Sequence, residues 1–463
     1  MFESFEMAPR AKAIFNVGCL LDIPTGHYVK GKHGESILLA GLYPLTGIGA
    51  RANMFKSTLM DFYLLSTLDR YPSAMAQTYD TECTKTMYRM ESMAWQFPNL
   101  AGKDLEDERR AFITNKGQYQ GDEWYNMLKK AMESKLADPK HNTRTCELVD
   151  KRGEYTKVFM PSLVGLDSIS EFSSSMEEKY SDEDIGSKER NMQYMAGGRV
   201  KTQLLGEAPA LTSKSSLYMI LCAHMGDEFQ LDAYAPNPKK LAFMSNNLKF
   251  KGVSEKFTFL PHNTWWIYSL QKMLTKDKTP EFPIDTKDEF KGDTDLLRIT
   301  MTALRAKGGA SGMPIELVVS QSQGILRGLT EFCFLKTMDK YGITGNDRTY
   351  QIALVPEVNL GRTTIRSKIN ETPKLQRALE ICSEMCQMHY LWNHLDDGFI
   401  CSPEELYNDL KAKGYDWDVL LSTRGYWMFL EDIKPDTKPF LSTMDLLNMR
   451  AGTYHPYWLP KPN

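Results

Sequence analysis

The chain has 463 residues, with 42% hydrophobic and 25% charged residues, which is the balance of a water-soluble globular protein large enough for one elaborated domain or for two to three domains. A formal net charge of −3 excludes a global basic field for nucleic acid and leaves only a local basic groove for that purpose. No apolar run is long enough to span a bilayer and no signal pattern opens the chain, and the eight scattered cysteines fit reduced thiols, so a cytoplasmic setting without membrane contact is expected.

In chain order, residues 36–40 form a short apolar run that reads as a buried strand. The glycine-rich stretch from Gly47 follows. Gly49, Ala50, Arg51, Ala52, Asn53, Met54, Phe55, Lys56, Ser57 and Thr58 approach the phosphate-loop signature G-x-x-x-x-G-K-[ST], with Phe55 in place of the second glycine and Ala50 in place of the first. Backbone N–H groups of such a loop, with the start of the next helix, can cradle phosphates. Lys56 would supply charge to the β- and γ-phosphates and Ser57 a ligand for Mg²⁺.

Residues 58–68 are apolar at helical spacing, and residues 74–79 read as a second strand ending in Asp80, Thr81 and Glu82. Strand, loop, helix and strand begin a parallel α/β sheet. Residues 84–155 are polar and helix-prone and read as an elaboration between core strands. Residues 158–167 form the next apolar run, ending at Asp167, and 217–223 a buried strand ending at His224. Residues 191–205 have helical character, 265–274, 296–304 and 315–320 read as strands, and 325–341 and 373–395 as helices. From about 396 to 463 the chain is aromatic- and proline-rich and reads as an extension wrapping or leaving the core. Cys382, Cys386, His389 and His394 fall at helical spacing and suit either a metal site or core cysteines beside a polar helix edge.

A triphosphatase needs a carboxylate to order the Mg²⁺ water shell and a base for the attacking water. Asp167 and Glu82 each follow an apolar strand, downstream of Lys56 and Ser57, and can share one sheet edge with the phosphates. His224, at a third strand end, can hydrogen-bond the γ-phosphate.

Taken together, these motifs resemble RecA-like recombinases, on the branch of the bacteriophage UvsX type. The stretch from Arg70 to Glu82 resembles the family's segment with the catalytic glutamate, and the Phe55-Lys56-Ser57 ending resembles the phage variant of the loop. The run ending in Asp167 and Ser168 is similar to the Walker B strand, and Cys222-Ala223-His224 to the strand carrying the γ-phosphate sensor. Residues 297–307, ending in Arg305 and Lys307, look like the strand whose paired basic residues reach a neighbouring subunit's nucleotide, and 324–331 like the helix start that follows.

The resemblance spans about residues 36–340. It implies a RecA-like P-loop ATPase core at 31–395, with a mostly parallel central sheet flanked by helices. An insertion would lie at about 84–155, an N-terminal arm at 1–30 and a C-terminal extension at 396–463. It implies ATP and Mg²⁺, single-stranded DNA with duplex DNA as second substrate, a helical homo-oligomer, and single-strand-binding and mediator proteins as partners.

Two segments would engage DNA. Residues 173–191 are acidic, and residues 225–263 carry Lys239, Lys240, Lys249, Lys251 and Lys256 interleaved with aromatics such as Phe250, a combination suited to single strands. Phe5 and Ala8 match a subunit-docking pattern of an aromatic anchor and a small residue. A hexameric helicase-type motor of the same fold would share the loop and the glutamate; a nucleotide-binding structural or regulatory protein is a second alternative, against which Glu82 argues.

Overall fold

The computed structural model describes residues 13–175, 187–228, 241–245, 247–284, 292–309, 311–346, 348–391 and 395–461. Its centre is a ten-stranded, mostly parallel sheet flanked by helices. The chain first makes a small antiparallel pair, β1 (His27–Lys30) with β2 (Ser36–Leu39), so the first strand expected from the sequence lies outside the central sheet. Strand β3 (Leu45–Ala50) enters the middle of the sheet and feeds helix α1 (Lys56–Arg70). Then come β4 (Met75–Asp80), helix α2 (Met87–Ala94), β5 (Ala111–Asn115) and helix α3 (Gly121–Ala137).

A hairpin of β6 (Thr143–Val149) and β7 (Tyr155–Phe159) precedes β8 (Ser162–Asp167). The single apolar run read at 158–167 is thus two strands, divided at Met160 and Pro161. The helix Ser187–Ser215 leads to β9 (Leu217–Asp227), on which the short β10 (Leu248–Phe250) pairs antiparallel. Strands β11 (Asn263–Lys272), β12 (Leu296–Ala306), β13 (Pro314–Ser320) and β14 (Gly324–Ile325) complete the sheet.

The spatial order is β14-β13-β12-β11-β3-β9-β8-β4-β5. From β11 across to β5 all neighbours are parallel, and from β11 outward to β14 they alternate. Strands β3, β8 and β9 are covered on both faces and are buried almost throughout, which is why they carry continuous apolar runs. Segment 84–155, read as an elaboration, supplies β5 to this sheet.

Residues 13–21, inside the expected N-terminal arm, are buried in the main core with Phe15 at its centre. The C-terminal stretch joins the same core through Trp427, Phe429 and Phe440. A second core gathers helices Arg327–Thr337, Pro373–Leu391, Pro403–Ala412 and Thr443–Ala451. Cys382 and Cys386 are buried in it, and burial pushes the Cys386 thiol up to about 12. His389 stacks on Tyr390 at 4.4 Å, and His394 lies outside the described residues. Among the described residues no helix is long and apolar enough to cross a membrane.

Candidate functional site

The carboxyl ends of β3, β9, β8 and β4 meet at one edge, and their register fixes what gathers there. Ala50 lies opposite His224, Cys222 opposite Asp167, and Asp167 opposite Asp80. The strand bearing His224 therefore stands between the loop strand and the strand bearing Asp167.

Beyond Ala50 the backbone turns through residues 51–55 and enters α1 at Lys56. Asn53 and Phe55 both take left-handed backbone, with φ of 58° and 59°. A glycine is the usual occupant of such a position because it lacks the Cβ that collides there. Phe55 occupies it, with its ring partly buried against the main core. Gly47, Gly49 and Ala50, read as loop residues, belong to β3 instead. Gly49 is small for a packing reason, since a Cβ there would come within 2.5 Å of the Phe250 ring and 2.8 Å of the Met225 sulfur. Arg51 is pinned by Asp227 at 2.6 Å, and no side chain caps the start of α1, where Ser57 and Thr58 are half-buried.

Lys56 is buried, with its Nζ 3.9 Å from Glu82 Oε1 and 3.9 Å from Asp167 Oδ1. His224 Nε2 lies 3.2 Å from the same Glu82 oxygen. Four residues from four separate stretches of chain thus converge on one spot. Glu82 keeps 42% of its side chain exposed, which suits a group that must meet water, whereas Asp167 is nearly enclosed. Its Oδ1 is buried without a hydrogen-bond donor among the described residues, an acceptor left open for a ligand. Below them the Cys222 thiol is held neutral by burial and by Asp167, which excludes it as a nucleophile.

Residues beyond the sequence reading hold this arrangement. The Asp80 carboxylate accepts from the backbone N–H groups of Glu82 (2.9 Å), Thr84 (2.7 Å) and Lys85 (2.7 Å), locking the turn that presents Glu82. Thr81 Oγ1 accepts from Ser168 N–H at 2.7 Å and ties that turn to the end of β8. Lys85 pairs with Asp61 of α1 in a buried contact beneath Lys56. The Asx-turn spacing after Asp80 was available as a signal, while the Asp61–Lys85 pair depends on the fold.

Arg305 and Lys307 do not join this cluster within one chain. Arg305 registers with Thr264, which lies beside Gly47, so the pair sits toward the opposite edge of the sheet. Lys249 and Lys251 are exposed on and just after β10, while Phe250 between them packs inward, 4.9 Å from Phe257 and edge-on to it. Lys256 opens a one-turn helix and donates to the Thr202 carbonyl at 3.4 Å. The backbone N–H of Lys251 donates to the His224 carbonyl at 2.8 Å, joining this basic segment to the cluster. Lys239, Lys240, Phe5, Ala8 and most of 173–191 lie outside the described residues.

No protein-family model matches the chain, and no curated protein matches it.

Proposed function

We propose that the chain is an ATP-hydrolysing, RecA-like recombinase that assembles on single-stranded DNA. The observation that carries the hydrolytic part is the convergence of Lys56, Glu82, Asp167 and His224 at the end of the loop that leads into α1. The DNA part rests on the sequence resemblance and on the exposed lysines beside β10.

In this reading Lys56 and the first N–H groups of α1 bind the β- and γ-phosphates. Ser57 and Asp167 would hold Mg²⁺, and the open Asp167 oxygen fits that role; the ion supplies charge neutralisation at the phosphates. Glu82 takes the proton of the attacking water as it adds to the γ-phosphorus and ADP leaves. The 3.2 Å contact with His224 orients Glu82. Loss of the γ-phosphate is relayed from His224 through its backbone to Lys251 and the basic segment. Arg305 and Lys307, remote from the cluster in their own chain, act on a neighbour's nucleotide, so hydrolysis waits for assembly.

The test is ATP hydrolysis with and without single-stranded DNA, together with electron microscopy of the DNA complex. Stimulation and open helical filaments are expected. The Glu82→Gln variant should lose about 10²–10⁴-fold in rate while still binding nucleotide, the range for removal of a general base. Closed hexamers, or hydrolysis indifferent to DNA, would overturn the recombinase reading, and an unimpaired Glu82→Gln variant would overturn the assignment of the base.

A further inference from the structure

The other end of α1 faces a separate cavity of about 890 Å³, lined by Arg70, by the start of the helix Arg327–Thr337 and by the C-terminal stretch around Arg424. A helix of 15 residues sets it roughly 20 Å from the Lys56 cluster.

Four guanidinium groups in the walls are buried and form close ion pairs within the protein. Arg70 pairs with Glu380 at 2.9 Å and Arg377 with the same carboxylate at 2.7 Å. Arg366 pairs with Asp295 at 2.7 Å and Arg424 with Glu147 at 2.5 Å. Arg327, half-buried at the wall, makes no such close pair among the described residues, although its charge acts on the Asp69, Glu331 and Glu380 carboxyls. Its guanidinium lies over the Phe97 ring at 5.6 Å, and no carboxylate among the described residues is within ion-pair distance of it. One turn on, Glu331 lines the same cavity, 4% exposed and without a hydrogen-bond or ion-pair partner among the described residues. A buried carboxyl without a hydrogen-bond partner and, one turn back on the same helix face, a half-buried guanidinium without a close ion pair leave polar groups at the wall that a ligand can engage.

We propose that this cavity is a second ligand site, for a small organic anion bearing a carboxylate or phosphate group gripped by Arg327 and Glu331. The choice of an anion follows from what the walls can donate. Burial, then the charge of Glu380, pushes the Glu331 carboxyl well up; Glu384 adds to this, and Arg327 and Arg70 oppose it. Glu331 therefore keeps its proton and donates, as Arg327 does, so the pair presents donors to an acceptor-rich ligand. Lys434 and Lys438 are exposed at the lining and favour the same sign of charge, against Asp69, Asp432 and Asp436. Trp95, 67% exposed, offers an apolar ring at the wall for the body of the ligand.

The test is titration calorimetry on the full chain with inorganic phosphate, with citrate and, as the opposite chemistry, with spermidine. One equivalent of phosphate or citrate should bind, and should still bind when Lys56 is replaced by Ala, which separates this site from the phosphate loop. Arg327→Gln should weaken binding by about tenfold or more, the effect of losing a charge-assisted hydrogen bond. Glu331→Gln, which keeps a neutral donor, should stay within about threefold. If Arg327→Gln fails to fold, Arg327→Lys should weaken binding by about threefold or more, since it keeps charge and loses the planar fork. Binding of spermidine in place of the anions, absence of binding by either anion, or anion binding that vanishes with Lys56 and ignores Arg327 would overturn the proposal.

Discussion

Phe55 is where sequence and conformation disagree most openly. The loop needs a left-handed residue just before Lys56, and an aromatic side chain stands there with φ 59° and ψ 26°. Its ring offsets the strain by packing on the main core. Two truncations separate these effects, because Phe55→Ala and Phe55→Gly lose the same ring and differ only in the Cβ. Ordinarily Ala is the more stabilising residue. Here Phe55→Gly should be more stable than Phe55→Ala by about 1–2 kcal/mol, from relief of the left-handed clash together with the better helix-capping of Gly. Urea unfolding measures it, and a Phe55→Ala variant as stable as Phe55→Gly would show that the loop does not demand that backbone. The residue Phe55 was legible as a departure from a motif; its conformational cost was not, since backbone sign is invisible in a side-chain pattern.

At the scale of elements, burial decides what could be read. Residues 217–223 and 163–166 are covered on both faces, so they show as apolar runs, and the carboxylate and histidine that follow them could be placed at one edge. Strand β5 is an edge strand with only Ala111 buried, and no apolar run announced it. In β3 the glycines that suggested a loop are there to let Phe250 and Phe257 approach. The alternation Leu248, Lys249, Phe250, Lys251 has two readings, a basic-aromatic groove for nucleic acid or a strand with one buried face. The structure gives the second to the phenylalanine, which packs inward, and leaves the lysines exposed. Phe250→Ala should therefore act on stability, costing about 2–3 kcal/mol for a partly buried aromatic, with little change in affinity for single-stranded DNA. On the proposed recombinase function, Lys249→Ala should leave the thermal midpoint in place, weaken DNA binding and reduce the salt dependence by up to one phosphate contact. Denaturation and fluorescence anisotropy on the two variants would tell these apart, and the reverse outcome would return Phe250 to the role of a stacking platform.

At the scale of the molecule, the two ends of the chain close the core between them. Trp427 Nε1 donates to the Ile14 carbonyl at 3.0 Å, and the Phe15 ring lies 4.6 Å from Tyr71 and 5.3 Å from Trp427. Contacts across some four hundred residues leave no local signature, which is why the tail read as an extension. The helix Thr443–Ala451 is anchored in the same way, for Asp445 both completes its capping box and accepts the Ser36 N–H at 2.7 Å. Burial lifts the Asp445 carboxyl to about 6, against the pull of those hydrogen bonds. The folded value lies above the ordinary one of 3.8, so the native state holds the proton more tightly than the unfolded chain. The stability this contributes is complete below the unfolded value and is lost as pH rises through about 6. The shift corresponds to roughly 3 kcal/mol at most. Thermal midpoints measured at about pH 4, 5, 6 and 7 should carry this downward component, and Asp445→Asn, which cannot ionise, should lose it over that range. A pH profile identical in the two proteins would mean that Asp445 is ionised in the folded state, and that the C-terminal helix is held to Ser36 by a carboxylate and not by a carboxylic acid.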